Sequence, residues 1–145
     1  MTKVFIDGSA GTTGLRIADR LAGRTDLELI RLPEELRKDT AARKEALFAA
    51  DIAFLCLPDK AAVEAVALAE GSKVKIIDTS TAHRTADGWI YGFAELLAGQ
   101  RERIKTAKRV NQPPRYQHGS DKPGNCHSKP HSQILGNFFP LLTLY

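Results

Sequence analysis

The residues between positions 8 and 14 have the composition of a phosphate-binding turn. Gly8, Gly11 and Gly14 lie between an apolar stretch, Lys3 to Asp7, and a segment with the pattern of a helix, from about Thr13 to Ala22. Glycines let backbone N–H groups approach a pyrophosphate, and the N-terminus of a helix adds a partial positive charge. The spacing is G-x-x-G-x-x-G instead of the commoner G-x-G-x-x-G. The turn predicts a bound phosphate; the alternative is a turn that serves only tight packing of strand and helix.

Alternating strand and helix patterns predict the elements that carry this turn. A second strand is expected at Leu27 to Leu32, a third at Ile52 to Leu57 and a fourth at Val74 to Asp78. Asp39-Thr40 is expected to cap a helix that runs through Ala50, and another helix is expected from Lys60 to Glu70. Repeated β-α units imply an α/β fold with a doubly wound parallel sheet and right-handed crossovers. Ligands of such sheets bind at the carboxyl ends of the strands.

Polar residues and helix starts follow the predicted strands at that edge. Thr12 or Thr13 is expected to cap the first helix through its hydroxyl group. Pro58 starts the helix after the third strand, and Ser80 follows the fourth strand. These positions are expected to join the glycine turn at one edge of the sheet.

The residues after the second strand bear on which dinucleotide is bound. A carboxylate here favours NAD by bonding the ribose 2′-hydroxyl, whereas a cation favours the 2′-phosphate of NADP. The strand ends near Arg31, and Arg37 and Lys38 follow, although Glu34 and Glu35 carry the opposite charge. The basic residues favour NADP. The alternative is that Arg37 and Lys38 only form a solvated helix face.

The composition changes abruptly near position 111. The first 110 residues contain 19 alanines and the last 35 contain none. The last 35 residues also hold five of the seven prolines and three of the four histidines. We therefore expect a dinucleotide-binding domain at 1–111 and an atypical tail at 112–145 that is disordered or poorly packed. A frameshift or truncation near codons 111 to 115 would explain the change.

Four stretches of the chain, taken together, resemble one family of enzymes. They are residues 5–14 with the glycine turn, Arg37-Lys38-Asp39, the run from Asp78 to Arg84, and the run from Trp89 to Leu96. In this order they are similar to the shorter second type of N-acetyl-γ-glutamyl-phosphate reductase, whose wider relative is aspartate-semialdehyde dehydrogenase. The resemblance covers residues 1 to about 111, almost the whole N-terminal half of such an enzyme, and implies a Rossmann-like NADP-binding domain.

The resemblance also implies a reaction, the NADPH-dependent reduction of N-acetyl-γ-glutamyl phosphate to N-acetylglutamate 5-semialdehyde in arginine biosynthesis. In the family a cysteine thiolate attacks the acyl phosphate, phosphate leaves, and hydride reduces the resulting thioester. The positions that match the family's pyrophosphate-binding residues are Gly8, Gly11, Thr12, Thr13 and Gly14. The other cofactor-binding positions that we expect are Arg37, Lys38, Pro58 and Ser80.

Three positions after the fourth strand have more than one interpretation. Arg84 is similar to the family's anion binder for the substrate phosphate or carboxylate, and its alternative is a surface salt bridge. His83 is not expected to be catalytic, because the family's histidine base comes from the second domain. Trp89, Tyr91 and Phe93 alternate as in a strand and are expected to pack in a core or an interface.

The resemblance breaks where the family has its nucleophile. The family motif is Asn-Pro-Gly-Cys-Tyr, and the matching place reads Gln112-Pro113-Pro114-Arg115-Tyr116. Arginine at position 115 cannot form a thioester, so we expect no catalytic residue and no activity of this chain alone. Cys126 lies in a loop-like stretch and is not expected to replace the cysteine. The alternative function is a stand-alone nucleotide-binding or regulatory module.

The composition limits the kinds of binding partner and the cellular compartment that we expect. The net charge of +4 is modest, and no basic stripe with interleaved aromatic residues indicates nucleic acid. No apolar run reaches membrane-spanning length, and the spacing of Cys126, His127 and His131 matches no zinc signature. Two cysteines and no signal peptide are typical of the cytoplasm. The expected partner is a small acyl-phosphate substrate, and a homo-oligomer is left open.

Overall fold

The computed structural model describes residues 1–112. In this range the strands are β1 (Thr2–Asp7), β2 (Leu27–Ile30), β3 (Ile52–Leu55), β4 (Lys75–Asp78), β5 (Ile90–Tyr91) and β6 (Arg109–Asn111). The helices of the same range are α1 (Thr12–Leu21), α2 (Thr40–Ala49), α3 (Asp59–Leu68) and α4 (Gln100–Thr106), with a 3₁₀ turn at Glu34–Leu36. Except for Gln112, the predicted tail lies outside the described residues.

The described strands form one parallel sheet. Its order is β2-β1-β3-β4-β6-β5, and every neighbouring pair is parallel. The predicted α/β fold with a doubly wound parallel sheet is therefore confirmed. The predicted second and third strands extend two residues too far, because the chain leaves the sheet before Pro33 and Pro58, which have no N–H group to continue a ladder.

Helices cover both faces of the sheet. On one face, α2 and α3 pack over alternate strand residues such as Phe5, Ala53 and Ile76. On the other face, Ile17 and Leu21 of α1 pack over the intervening strand residues Val4, Ile6, Ile52, Phe54 and Ile77. The strands are thus buried on both faces, which is why they have continuous apolar runs instead of an alternating pattern.

The strand order places a switch point between β1 and β3. The chain leaves β1 toward β2 on one side of it and returns, through α2, to β3 on the other side. At such a point the connections diverge, and a crevice opens at the carboxyl ends of the two strands. The glycine turn follows β1 and Pro58 follows β3, so both flank this crevice.

The last strand pair is short and closely packed. The predicted strand around Trp89, Tyr91 and Phe93 is reduced to the two residues of β5, and Phe93 is exposed. Gly92 donates its N–H to the carbonyl oxygen of Asn111 at 2.7 Å, and a Cβ at position 92 would lie 3.1 Å from that oxygen. The backbone segments around Gly92 and Asn111 approach closely, which favours a residue without a side chain at position 92.

Candidate functional site

Two glycines of the turn are required by the packing of the chain itself. Gly8 has φ +85°, and a Cβ at this position would lie 2.3 Å from the carbonyl oxygen of Cys56, directly after β3. A Cβ at Gly14 would lie 2.3 Å from the carbonyl oxygen of Gly8. Both contacts are too short for any side chain, so these two glycines bring the turn, α1 and the end of β3 together.

Gly11 differs from the other two glycines of the turn. Its backbone is extended, at φ −77° and ψ 161°, and a Cβ there would lie 3.4 Å from the nearest atom, the Gly8 carbonyl oxygen. Gly11 is also exposed. The packing of the described residues therefore leaves room for a side chain at this position, directly before the first residue of α1.

Gly11, and not Thr12 or Thr13, is the N-cap of α1, so the predicted threonine cap is wrong. The Gly11 N–H donates to the Gly8 carbonyl at 3.1 Å, and its own carbonyl accepts the N–H of Leu15 at 2.9 Å. This tight turn moves the helix start forward and puts both threonines in the first helical turn. The N–H groups of Thr12, Thr13 and Gly14 precede the first intrahelical bond, so they are available to an anion.

The glycine turn adjoins a buried ion pair that the sequence analysis missed. Asp7 is 4% exposed and Arg43 is 7% exposed. Arg43 donates from Nη2 at 2.8 Å and from Nε at 3.1 Å to Oδ2 of Asp7. A signal for it exists in the sequence, because Arg43 shares the helical spacing of the buried α2 residues Ala46 and Leu47.

The basic residues predicted to favour NADP lie in an exposed segment. All side chains from position 33 to position 41 are exposed, including Arg37 and Lys38, and Arg31 is exposed just before them. The predicted cap of α2 is present, since Asp39 accepts the N–H of Ala42 at 2.7 Å. The segment thus runs from the carboxyl end of β2 to the N-terminus of α2.

The start of α3 is bonded to the loop after β4. Pro58 is the N-cap of α3, and its carbonyl accepts the N–H of Ala62 at 2.9 Å. The Asp59 carboxylate accepts the N–H of Thr81 at 2.9 Å and also its hydroxyl group. The hydroxyl bond, then the backbone bond and the nearby charge of Arg84, hold the pKa of Asp59 below its usual value.

Asp78 is the central acceptor of a buried network at the carboxyl end of β4. It is 0% exposed. Its Oδ1 accepts the N–H of Ser80 at 2.9 Å, and its Oδ2 accepts the Ser80 hydroxyl at 2.7 Å. The same Oδ2 lies 2.7 Å from Nδ1 of His83. Ser80 is a predicted cofactor ligand. Its hydroxyl proton, however, points to the buried Asp78 carboxylate.

The His83 ring is bonded to Asp78 at its edge and stacked on Trp89 at its face. Its ring stacks on Trp89 with 4.3 Å between the ring centroids, and the guanidinium of Arg109 lies 5.9 Å from the centre of the Trp89 ring. Trp89 packs against the core under α2 and α3, as the sequence analysis predicts. The Asp78 contact and the stacking on Trp89 hold the His83 ring in place.

The network continues to the end of β6. The Asn111 side chain, 0% exposed, donates to the carbonyl oxygens of Ser80 at 3.0 Å and Asp78 at 3.3 Å. The Gln112 N–H donates to the same Asp78 carbonyl at 2.8 Å. These bonds fix the chain up to Gln112, three positions before position 115, where the sequence resemblance expects the nucleophile.

Arg84 lies in the loop that follows this network. It is partly buried, and its Nε is a buried donor with no acceptor among the described residues. In residues 1–112 no carboxylate lies within ion-pair distance of Arg84, but its charge is near enough to Asp59 to lower the pKa of that carboxyl group. A donor of this kind is costly to leave unpaired, which fits a residue that meets an anion.

Comparison with known families identifies this arrangement. The family described as semialdehyde dehydrogenase, NAD binding domain, matches residues 33–107, just over half of the chain. The chain belongs to this family. Membership makes it part of an oxidoreductase family that uses a nicotinamide cofactor, and the carboxyl edge of the sheet is the place where the described residues offer a cradle for one.

Individual relatives carry the resemblance further. The chain is 60% identical over 111 residues to an N-acetyl-gamma-glutamyl-phosphate reductase of Mesorhizobium japonicum, which covers 77% of this chain and 36% of the relative. It is 56% identical over 119 residues to the reductase of that name from Rhizobium meliloti, covering 81% of this chain and 38% of the relative. The resemblance to these reductases is confirmed. The chain spans less than two fifths of the length of these curated relatives.

Solved structures support the fold. Aspartate semialdehyde dehydrogenase from Francisella tularensis has a TM-score of 0.58 at 18% identity, covering 77% of this chain and 36% of that one. Aspartate semialdehyde dehydrogenase II from Vibrio cholerae has a TM-score of 0.53 at 16% identity, covering 77% and 41%. In the part of the chain that the structure describes, no helix is long and apolar enough to cross a membrane.

Proposed function

We propose that residues 1–112 bind NADP as the cofactor-binding part of an N-acetyl-γ-glutamyl-phosphate reductase. The proposal includes the family's small acyl-phosphate substrate and a cytoplasmic location. It rests on the 60% identity to such a reductase over 111 residues and on the local geometry of the glycine turn.

The observation that carries the cofactor site is the space at Gly11. Packing explains the glycines at positions 8 and 14, but it leaves position 11 open. A pyrophosphate seated on the N-terminus of α1 explains why this position has no side chain, because the phosphate oxygens would occupy that space. The N–H groups of Thr12, Thr13 and Gly14 would then donate to the pyrophosphate.

The preference for NADP rests on charge at the end of β2. Arg31, Arg37 and Lys38 are exposed cations near the N-terminus of α2, where the adenosine ribose of a dinucleotide lies in folds of this class. Guanidinium and ammonium groups bind the 2′-phosphate by charge-assisted hydrogen bonds. Pro58 and Ser80 would flank the cofactor on the far side of the crevice.

Arg84 would bind the phosphate or carboxylate of the substrate. Its Nε is a buried donor without an acceptor in residues 1–112, and a substrate oxyanion would satisfy it. Bound NADPH supplies a hydride. The described residues contribute binding and orientation, and in the reductases the nucleophile is expected from the segment after β6.

The chain with Arg115 at that place is proposed to bind the cofactor without turnover. An arginine side chain remains protonated and is no nucleophile toward an acyl phosphate. The test is an assay of the purified chain for phosphate-dependent oxidation of N-acetylglutamate semialdehyde with NADP. We expect no formation of NADPH above the rate of the enzyme-free control, and steady turnover would contradict the proposed inactivity.

Substitution of the glycines tests the cofactor site. Gly11→Ala should fold as the unchanged chain does and should weaken NADPH binding about tenfold or more, since a methyl group would displace a phosphate oxygen. Gly14→Ala should not fold, because the added Cβ would collide with the Gly8 carbonyl oxygen. Gly23→Ala is the matched control, because a Cβ at Gly23 meets nothing within 4 Å. Binding by Gly11→Ala as tight as that of Gly23→Ala would contradict the site.

The second candidate is a stand-alone nucleotide-binding or regulatory module without catalysis. The open space at Gly11 favours both candidates equally, but the unpaired Nε of Arg84 favours the reductase. A nucleotide-binding module has no need of a second anion site beside the carboxyl end of β4. Protection of Arg84 by N-acetylglutamate semialdehyde and phosphate against guanidinium-modifying reagents would favour the reductase.

A further inference from the structure

We propose that the buried pair of Asp7 and Arg43 positions the segment that selects NADP over NAD. The pair would hold Arg37 and Lys38 at the distance from the glycine turn that the 2′-phosphate requires. This inference rests on the proposed NADP binding, and it assigns a positioning function to two residues that do not themselves need to touch the cofactor.

The Asp7–Arg43 pair is buried and is held by two hydrogen bonds. Two donors of the Arg43 guanidinium converge on one carboxylate oxygen of Asp7, at 2.8 and 3.1 Å, and both residues are more than nine-tenths buried. A buried pair of this kind adds little net stability compared with apolar residues, and we assign to this one the role of fixing register between the elements it joins. Here it joins the last residue of β1 to the first turns of α2.

The segment between β2 and α2 is anchored at its start by Leu32, which is partly buried against the core under α2 and α3. Every side chain at positions 33–41 is exposed, and the 3₁₀ turn within it buries no residue. Its backbone bonds are local, from Leu36 N–H to the Pro33 carbonyl and from Asp39 N–H to the Leu36 carbonyl, both at 3.0 Å. Arg43 is the first buried residue after Leu27. The placement of Arg37 and Lys38 therefore depends on Leu32 before them and on the buried Arg43 after them.

The other end of the pair lies at the glycine turn. Asp7 directly precedes Gly8, so one ion pair links the expected pyrophosphate site with the expected 2′-phosphate site. The pair also neutralises Asp7, whose unpaired carboxylate would otherwise repel a pyrophosphate bound a few residues away. NAD and NADP share the pyrophosphate, whereas only NADP has the 2′-phosphate. A shift of positions 37 and 38 should therefore weaken NADP binding selectively.

The test compares NADPH and NADH binding to variants of the full chain. The double variant Asp7→Asn/Arg43→Met removes the pair without leaving an unpaired buried charge. Arg43→Lys is the second variant; it keeps the charge and the fold but not the two converging donors. The matched control is Lys44→Met, which removes a cation from the next position, where Nζ lies over the Phe48 ring at the surface.

We expect the variants to lose affinity for NADPH more than affinity for NADH. The double variant should weaken NADPH binding about tenfold, the value of one lost charge-assisted hydrogen bond, and should change NADH binding much less. Arg43→Lys should lose part of the preference for NADPH over NADH, and Lys44→Met should keep this preference. Equal weakening of both nucleotides, or an unchanged ratio in the double variant and Arg43→Lys, would overturn the inference.

Amide hydrogen exchange separates this inference from the proposed function. In the double variant, or in Arg43→Lys if the double variant does not fold, exchange at positions 34–42 should rise while exchange in α1 stays unchanged. If the unchanged chain shows no preference for NADPH, the proposed NADP binding fails, and the exchange result alone decides whether the pair positions the segment. Unchanged exchange at positions 34–42 would overturn the positioning role in either case.

Discussion

At the scale of single residues, the site depends on buried polar groups that satisfy one another. Asp78 has no exposed surface, and the N–H of Ser80, its hydroxyl and the ring of His83 all meet its carboxylate. The three partners of one buried carboxylate explain why an acidic residue follows the two buried isoleucines of β4.

Replacing Asp78 by alanine should therefore destabilise the fold strongly. The change leaves the Ser80 N–H and hydroxyl and the His83 ring without their acceptor, and it should lower the free energy of unfolding by about 3 kcal/mol or more. Urea unfolding followed by circular dichroism measures the loss. Asp87→Ala, at an exposed position, is the control and should change stability by less than about 0.5 kcal/mol. A loss at position 78 no larger than that at position 87 would refute the role of the network.

Single residues also mark how far sequence reasoning reaches. Gly8 and Gly14 could be identified from spacing alone, because glycine at a strand–helix turn has a direct steric reason. The Asp7–Arg43 pair was missed because a charged residue on an apolar helix face reveals its partner only when the fold brings β1 and α2 together. The threonine cap was wrong because Thr12 and Thr13 compete with Gly11, and only the turn geometry decides which residue precedes the helix.

At the scale of elements, the start of α3 and the loop after β4 are joined by Asp59 and Thr81. The two residues are distant in sequence, and their bonds hold two of the loops that border the crevice. The folded-state pKa of Asp59 is lowered, so this interaction contributes stability that is present above the usual pKa of 3.8 and is lost as the pH falls through the folded-state value.

Removal of the Thr81 hydroxyl should raise the pKa of Asp59 toward its usual value. In Thr81→Val the largest cause of the lowered pKa is gone, whereas the backbone bond from position 81 remains. The carboxyl ¹³C chemical shift of Asp59, followed between neutral and acidic pH, reports the change. Thr79→Val is the matched control, because the Thr79 hydroxyl donates to the Leu55 carbonyl at 3.0 Å. An Asp59 pKa equal in the two variants would contradict the bond.

The elements themselves were predictable where burial is strong. Strands β1, β3 and β4 are buried on both faces and have continuous apolar runs, so the sequence analysis found them. Helix α4 was not predicted, because only Gln100 and Ile104 of its seven residues are buried and its apolar pattern is correspondingly weak. Strand β6 has three residues, which is too short for a periodic signal. The alternation of Trp89, Tyr91 and Phe93 did predict a strand, but only two residues of it form β5.

At the scale of the whole molecule, the sheet order decides where the cofactor is expected. The switch between β1 and β3 gathers the glycine turn, the N-terminus of α2 and the start of α3 around one crevice. The chain spans less than two fifths of its curated relatives, and this part corresponds to the cofactor-binding domain of the family. The proposed cofactor binding can therefore be tested apart from turnover.

The most direct measurement is a titration of the folded chain with NADPH and with NADH. The chain has a single tryptophan, Trp89, which stacks on His83 within the network beside the crevice, so its fluorescence reports binding. The account predicts saturable binding of both nucleotides, with NADPH bound more tightly because of the cations at positions 31, 37 and 38. A folded chain that binds neither nucleotide, or that binds NADH as tightly as NADPH, would contradict it.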